Sequence, residues 1–247
     1  MNIGIISIFP KLFSSFIKYG IVGKAIKNNF LNVFFWNPRN YTYNDKYRRI
    51  DFPPYGGGSG MVMSIQPIRS AVKAAKKKLG NETKVLYLTP QGKTFTYKSV
   101  ASFIKENKFI CICGRYRGVD ERVIQTLVDE EWSIGDYILT GGELPAMVLI
   151  DAISRFIPGV LNNKKSVNED SFTDFLFDYP NYTKPFLFSG LMVPNVLLSG
   201  NHKLIKRWRL KQSLGKTWLK KPSLLKKKIF NSEEKMLLLE FQKEYNK

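Results

Sequence analysis

The chain has 247 residues, of which 44% are hydrophobic and 24% are charged. This composition suffices for one or two domains with a sizeable core, and it excludes wholesale disorder. The charge is one-sided, because 39 Lys and Arg stand against 20 Asp and Glu for a net +19. Such an excess favours a polyanionic partner, nucleic acid ahead of an anionic membrane, over a surface that is merely rich in lysine.

Cysteine and histidine are too scarce for a Cys/His zinc site. The chain has only Cys111, Cys113 and His202 for such a role, and small core cysteines fit a reducing compartment. Residues 1–10 lack a basic leader and a cleavage site, and no apolar run approaches the ~18 residues of a spanning helix. We therefore expect a soluble, cytoplasmic protein without a membrane partner.

The first half of the chain alternates apolar runs with stretches of helical composition. The runs predict strands at residues 3–9, 31–36, 85–88 and 109–113, and helices at 11–28, 65–79 and 96–107. This alternation is typical of an α/β domain with a largely parallel sheet. Ligands bind such sheets beyond the carboxyl ends of the strands, where residues 89–92 and 114–118 are expected.

Residues 132–145, Trp-Ser-Ile-Gly-Asp-Tyr-Ile-Leu-Thr-Gly-Gly-Glu-Leu-Pro, are the most informative segment. Their glycines and proline argue against a helix or a simple strand and predict a series of tight bends. Backbone groups in such bends are available to a ligand, and the segment is too apolar for a solvated loop. It predicts a pocket for a flat, polar small molecule, formed together with residues 89–92 and 114–118. An irregular turn inside the core is the alternative.

Residues 54–61, Pro-Tyr-Gly-Gly-Gly-Ser-Gly-Met, form a second glycine-rich segment. It is not a P-loop, because no Gly-Lys-Ser/Thr follows, and it lacks the third glycine or alanine of a dinucleotide fingerprint. A flexible loop and a mobile flap that approaches phosphate or base are both open. Residues 120–122, Asp-Glu-Arg, are expected to begin a helix.

The character of the chain changes after residue 159. We predict an α/β domain over residues 1–160, a polar linker over 161–171 and a small helical domain over 172–247. From residue 201 onward the sequence is very basic, and Trp208 and Trp218 are interleaved with the cations. This pattern favours contact with an RNA or DNA backbone over a solvated helix face.

Ten segments together resemble the bacterial tRNA (guanine-N1)-methyltransferases of the TrmD type, in order from residue 1 to about 225. One of them reads Cys-Gly-Arg-Tyr-Arg-Gly at residues 113–118, and another reads Leu-Ser-Gly-Asn-His at residues 198–202. The ten are residues 4–10, 55–61, 87–92, 113–118, 120–122, 132–145, 155–159, 169–171, 198–202 and 207–214.

The resemblance implies an α/β domain of the SPOUT class with a trefoil knot and a mostly parallel sheet, a small helical C-terminal domain and an obligate homodimer. It also implies transfer of a methyl group from S-adenosylmethionine to N1 of the guanine at tRNA position 37, 3′ to the anticodon. The knot comes from the resemblance alone, because pattern reasoning predicts an open doubly wound sheet.

The resemblance assigns the methyl-donor pocket to three segments of this chain. The implied lining residues are Tyr87, Leu88, Thr89 and Pro90; Gly114, Tyr116 and Gly118; and Ile134, Gly135, Asp136, Tyr137, Ile138, Leu139, Gly141, Gly142 and Pro145.

The resemblance also implies the catalytic and RNA-binding residues. Asp170 is the expected general base, supplied by one subunit to the donor held by the other, and Arg155 is expected to support the guanine. The implied tRNA-binding residues are His202, Lys206, Arg207, Arg209, Lys211 and Gln212.

Assistance by Mg²⁺ is implied by the family, although the sequence has no evident cluster of metal ligands and we assign none. No further protein partner is implied. One departure concerns Arg117, where the family usually has Glu, so the usual role of that position in guanine or metal binding is in doubt. Two alternatives stay open: a knotted methyltransferase acting on another RNA base, and an RNA-binding protein without catalysis.

Overall fold

The computed structural model describes residues 1–43, 45–161 and 171–246. The chain divides into two compact units, Met1–Asn162 and Asn163–Lys247, which we call the α/β unit and the C-terminal unit. Within the described ranges, no helix is both long and apolar enough to cross a membrane.

The α/β unit is built on a five-stranded parallel sheet. Its strands are β1 (Asn2–Ile6), β2 (Asn32–Trp36), β5 (Val85–Thr94), β6 (Lys108–Ile112) and β7 (Glu130–Ser133). They are ordered β2-β1-β6-β5-β7, and every neighbouring pair is parallel. Strands β3 (Asp51–Phe52) and β4 (Val62–Met63) form a separate antiparallel hairpin. The predicted α/β class with a mostly parallel sheet is confirmed.

Helices follow most of these strands along the chain. In the α/β unit they are α1 (Gly20–Lys27), α2 (Ile65–Leu79), α3 (Val100–Glu106), α4 (Glu121–Leu127) and α5 (Glu143–Ser154). Helix α2 has the predicted bounds. The helix predicted over residues 11–28 is interrupted, because Gly20 has a φ of 68°, outside the helical region. A 3₁₀ turn at Pro10–Phe13 precedes α1 instead.

The core lies on both faces of the sheet because successive strand residues alternate sides. Along β6, Phe109 and Cys111 belong to one buried cluster, while Ile110 and Ile112 belong to the other. Cys113 lies with Cys111, and burial raises the pKa of both thiols. The cysteines are therefore core residues, as expected.

Two features of residues 130–145 differ from the prediction. The segment begins as strand β7, whose polar start at Glu130 and Glu131 is compatible with its place at the sheet edge. Its end is the first turn of α5, which holds Pro145. Proline costs little there, because an N–H of the first helical turn has no partner within the helix. The series of bends is therefore confined to residues 134–142.

Helix α4 begins at the predicted place. The Asp120 carboxylate accepts a hydrogen bond from the backbone N–H of Arg122 at 2.9 Å and from the Arg122 guanidinium at 2.7 and 2.9 Å. These hydrogen bonds lower the pKa of Asp120 to about 2. The Asp-Glu-Arg motif at residues 120–122 thus caps a helix and needs no other role.

The C-terminal unit is mostly helical. Its elements are the hairpin of β8 (Leu187–Phe188) and β9 (Leu191–Met192), and the helices α6 (Asn195–Leu198), α7 (His202–Lys220), α8 (Pro222–Leu225) and α9 (Ser232–Tyr245). Asn201 and Asn231 cap α7 and α9 through their side-chain oxygens. Leu214 of α7 and Leu237 of α9 are fully buried in one small cluster.

Candidate active site

The carboxyl ends of β5, β6 and β7 surround a cleft of about 430 Å³. These strands are neighbours and parallel, so the segments that follow them meet at one edge of the sheet. The three segments predicted to share a crevice do so. The predicted residues in the lining are Tyr87, Leu88, Thr89, Pro90, Gly114, Tyr116, Gly118, Ile134, Gly135, Tyr137, Ile138, Leu139, Gly141, Gly142 and Pro145.

The lining differs from the prediction at a few positions. Asp136 is exposed and is not among the residues that line the cleft. The residues implied by the resemblance leave out six that line the cleft and lie within the predicted segments 89–92, 114–118 and 132–145: Gln91, Arg115, Arg117, Trp132, Ser133 and Thr140. Their position inside the same short motifs was the available signal.

The first wall of the cleft is a bulge in β5. Leu88 and Lys93 both pair with Trp132 of β7, so residues 89–92 loop out of the ladder between them. Tyr87 precedes this bulge and is mostly buried. Burial raises the pKa of Tyr87, so the phenol stays neutral at physiological pH.

The second wall of the cleft is the segment after β6, residues 114–118, and the third wall is formed by residues 134–142. The backbones of these two segments approach each other closely. The N–H of Gly142 donates to the carbonyl of Gly114 at 2.9 Å. A Cβ at position 142 would lie 2.7 Å from the Cα of Cys113, too close for any side chain. Gly142 therefore lets the start of α5 lie directly against the end of β6.

A buried ion pair supports this junction. The Glu143 side chain is fully buried and accepts from Arg115 Nε at 2.8 Å and from the Ser7 hydroxyl at 2.6 Å. Arg115 also donates to the carbonyl of Thr140 at 3.2 Å. One carboxylate thus connects the ends of β1 and β6 with the third wall of the cleft.

Arg117 links the cleft to the glycine-rich loop at residues 56–60. Its guanidinium donates to the carbonyl of Ser59 at 2.9 Å, and its backbone N–H donates to the carbonyl of Met61 at 2.9 Å. The stem of Arg117 lies against Gly60, where a Cβ would be 3.0 Å from Arg117 Cγ. Arg117, the residue that differs from the family motif, therefore contacts the backbone of the glycine-rich loop.

The family profile of the tRNA (guanine-1)-methyltransferase TrmD matches residues 1–227. The chain belongs to this family. The tRNA (guanine-N(1)-)-methyltransferases of Pectobacterium carotovorum and Photorhabdus laumondii are 55% and 54% identical to it over 245 residues, 99% of this chain. The alignments cover 97% and 98% of those proteins.

A solved structure agrees with the family assignment. The crystal structure of the tRNA (m1G37) methyltransferase from Aquifex aeolicus matches with a TM-score of 0.74 at 38% sequence identity. The match covers 92% of this chain and 95% of that one.

Of the two predicted catalytic residues of this family member, Arg155 is not in the cleft lining. Arg155 directly follows α5, whose other end begins after Gly142 at the cleft. The 12 residues of α5 separate the two ends by roughly 18 Å. Asp170 lies outside the described residues.

The predicted tRNA-binding residues lie on α7 in differing surroundings. His202 and Lys206 are exposed, and Gln212 is half-buried. Arg207 pairs with Glu240 of α9 at 2.9 Å, and Lys211 pairs with Glu244 at 2.8 Å.

Arg209 differs from the other cations of α7. Its guanidinium carbon lies 4.5 Å from the centroid of the Tyr179 ring, and its buried Nε has no hydrogen-bond partner. Arg209 therefore packs inside the unit. Of the predicted cations on α7, Lys206 is the most open to an external ligand.

The cleft does not suit Mg²⁺. Among the described residues that line it, none is a carboxylate, and the described chain contains no cluster of three or more His, Cys, Asp or Glu side chains. Mg²⁺ prefers carboxylate, phosphate and water oxygens.

Replacing Glu143 by Ala should destabilise the α/β unit strongly. The change leaves Arg115 as a mostly buried cation without its carboxylate, for which we expect a loss of roughly 3–5 kcal/mol in the free energy of unfolding. Urea denaturation followed by circular dichroism measures it. Ser7→Ala is the matched control and should cost about 1 kcal/mol. Equal, small losses for both variants would show that the ion pair contributes little.

Proposed function

We propose that the chain transfers a methyl group from S-adenosylmethionine to N1 of guanine 37 in tRNA, in the cytoplasm. The observation that carries the proposal is the cleft at the carboxyl ends of β5, β6 and β7, in a chain 55% identical to tRNA (guanine-N(1)-)-methyltransferases. Position 37 rests on the Aquifex aeolicus enzyme, which is named for that product.

The cleft suits the methyl donor in size and chemistry. Its volume of about 430 Å³ falls within the range of small-molecule sites, roughly 300–1,000 Å³. Apolar side chains such as Leu88, Ile134 and Leu139 offer surface to a flat base, and the glycines leave backbone polar groups close to the ligand. When bound, the donor supplies a methyl group on a sulfonium, already activated toward nucleophiles.

The protein's part of the chemistry is to activate the guanine. N1 of guanine carries a proton and is a poor nucleophile until it loses that proton, so a positioned general base is needed, and a carboxylate fits this need. We assign this role to Asp170. As the proton leaves, negative charge develops on O6, where the Arg155 guanidinium stabilises it. Holding N1 in line with the methyl group lowers the barrier further.

We further propose a homodimer in which each site combines two chains. Arg155 stands at the end of α5 opposite the cleft, so a second chain is needed to bring this side chain to the guanine. A face suited to pairing exists on neighbouring elements of the α/β unit. Leu12, Ile21, Leu144 and Val148 are large apolar residues exposed there.

The C-terminal unit is proposed to hold the anticodon stem. Contacts from α7 to phosphates would set the register of the RNA on the enzyme without reading its sequence. The excess of 19 positive charges supports this role. The target base lies in a loop, so turning it out of its stack costs less than it would in a duplex.

Methylation of defined tRNA transcripts tests the proposal as a whole. Transcripts with guanine at position 37 should gain one methyl group that maps to N1, and transcripts with another base there should not. Titration of S-adenosylmethionine by calorimetry separates the enzyme from an RNA-binding protein without catalysis, which would bind no donor.

Replacing Asp170 by Asn should slow the chemical step by about 10²-fold or more, because the amide keeps the shape but cannot accept the proton. Single-turnover methylation at saturating tRNA measures this rate. The affinity for the donor should change little. Glu169→Gln is the matched control and should stay close to wild type. A near wild-type rate for Asp170→Asn would remove the residue from the mechanism.

Two inactive variants should complement each other if the site is shared. Leu139→Arg places a cation in the cleft and should repel the sulfonium, while Asp170→Ala lacks the base. After random mixing, half of the dimers are mixed and each has one intact site of two, which predicts about a quarter of wild-type activity. Native mass spectrometry checks for mixed dimers. Absence of activity in confirmed mixed dimers would mean that each chain holds a whole site.

Replacing Lys206 by Ala should weaken tRNA binding at low salt. Each lost phosphate contact reduces the slope of log affinity against log salt by roughly 0.7–0.9. Fluorescence anisotropy over a salt series measures both quantities. Lys206→Arg keeps the charge and should retain the wild-type slope. An unchanged slope in the alanine variant would make this part of α7 a solvated surface.

A further inference from the structure

Tyr43 and residues 45–55 of the α/β unit leave large aromatic side chains and cations in solvent; we call them the basic aromatic segment. The relative exposure of Tyr43 and Tyr47 is 74% each, and Tyr55 is fully exposed. Lys46 and Arg48 are exposed beside them. Three exposed tyrosines in 13 residues contribute little to folding, because their rings remain in water.

Hydrogen bonds nevertheless tie parts of this segment together. The Asp45 carboxylate accepts from the backbone N–H of Tyr47 at 2.8 Å and from Arg49 Nε at 3.0 Å. Arg48 has a φ of 49°, in the left-handed region that a residue with a Cβ rarely adopts, and its carbonyl accepts from the Arg39 guanidinium at 3.1 Å. A backbone held by such bonds loses less entropy when the segment binds a ligand.

The basic aromatic segment lies next to the cleft. It contains β3, and the carbonyl of Ile50 just before this strand accepts from the N–H of Ser64 at 2.7 Å. Met63 of β4, the partner of β3, donates from its N–H to the carbonyl of Gly118 at 3.0 Å. Gly118 lines the cleft. The β3–β4 hairpin, whose connecting loop holds Tyr55, therefore joins this segment to the wall of the cleft.

We propose that the basic aromatic segment binds the unpaired nucleotides of the anticodon loop. Tyr47 and Tyr55 offer rings on which unstacked bases can stack, and Lys46 and Arg48 contact the phosphates between them. The proposal rests on the proposed function, since it places the loop beside the methyl group. Charge complementarity favours RNA, because Lys46 and Arg48 are exposed cations while Arg49 pairs with Asp45.

Binding of an RNA hairpin that carries the anticodon stem and loop tests the proposal, with full-length protein and fluorescence anisotropy. Tyr47→Ala should weaken binding about 10-fold, the effect of losing one base–aromatic stack. Tyr47→Phe keeps the ring and should bind like wild type. Arg48→Ala should lower the salt slope by roughly 0.7–0.9, and Arg48→Lys should retain it. Affinity for the donor and the oligomeric mass should not change.

Two results would overturn the proposal. One is hairpin binding by the Tyr47→Ala/Arg48→Ala double variant with wild-type affinity and salt slope. The other is loss of the dimer in these variants, since the segment would then be an interface between copies. Failure of the proposed function is separate, because it appears as a wild-type protein that does not methylate tRNA at position 37. Loss of hairpin binding in the variants would support RNA binding by the basic aromatic segment, whether or not the wild-type protein methylates tRNA at position 37.

Discussion

The contact between the backbone at Gly142 and the backbone at residues 113–114 is the constraint on which the site depends. It brings the start of α5 against the end of β6, and the bends at residues 134–141 must then fold over the cleft. The buried Glu143 carboxylate, one residue further on, pairs with Arg115 and accepts from Ser7. A single junction therefore fixes two walls of the cleft and one end of α5.

The residues that line the cleft and the residues proposed for catalysis have different tasks. The cleft is lined by apolar side chains, tyrosines and glycine backbone, which suits a ligand that must be held and shielded from water. Arg155, proposed to stabilise the developing charge, stands elsewhere, at the far end of α5. A rigid helix roughly 18 Å long cannot bend to close this gap, which supports the proposal that a second chain completes the site.

The positive charge of the protein has several distinct uses. Arg115 is buried and structural, Arg207 pairs with an acid on α9, and Arg117 contacts the glycine-rich loop. Lys206 and Arg48 are exposed. A net charge of +19 indicates a polyanionic partner, but the cations available to it are those that the fold leaves in solvent.

The sequence by itself determined the α/β class, the position of most strands and helices, and the three segments that line the cleft. These follow from local features: apolar runs, helical composition, and glycines placed after strands. Only the tertiary structure decided that Glu143 is the buried partner of Arg115 and that β7 is an additional strand. It also decided at which end of α5 Arg155 lies and which cations of α7 form ion pairs within their unit. Each of these depends on contacts between residues far apart in the chain, such as Ser7 with Glu143, and a local pattern carries no record of such pairs. The trefoil knot stays a prediction from the resemblance, because a local sequence pattern does not indicate how distant parts of the chain thread past each other.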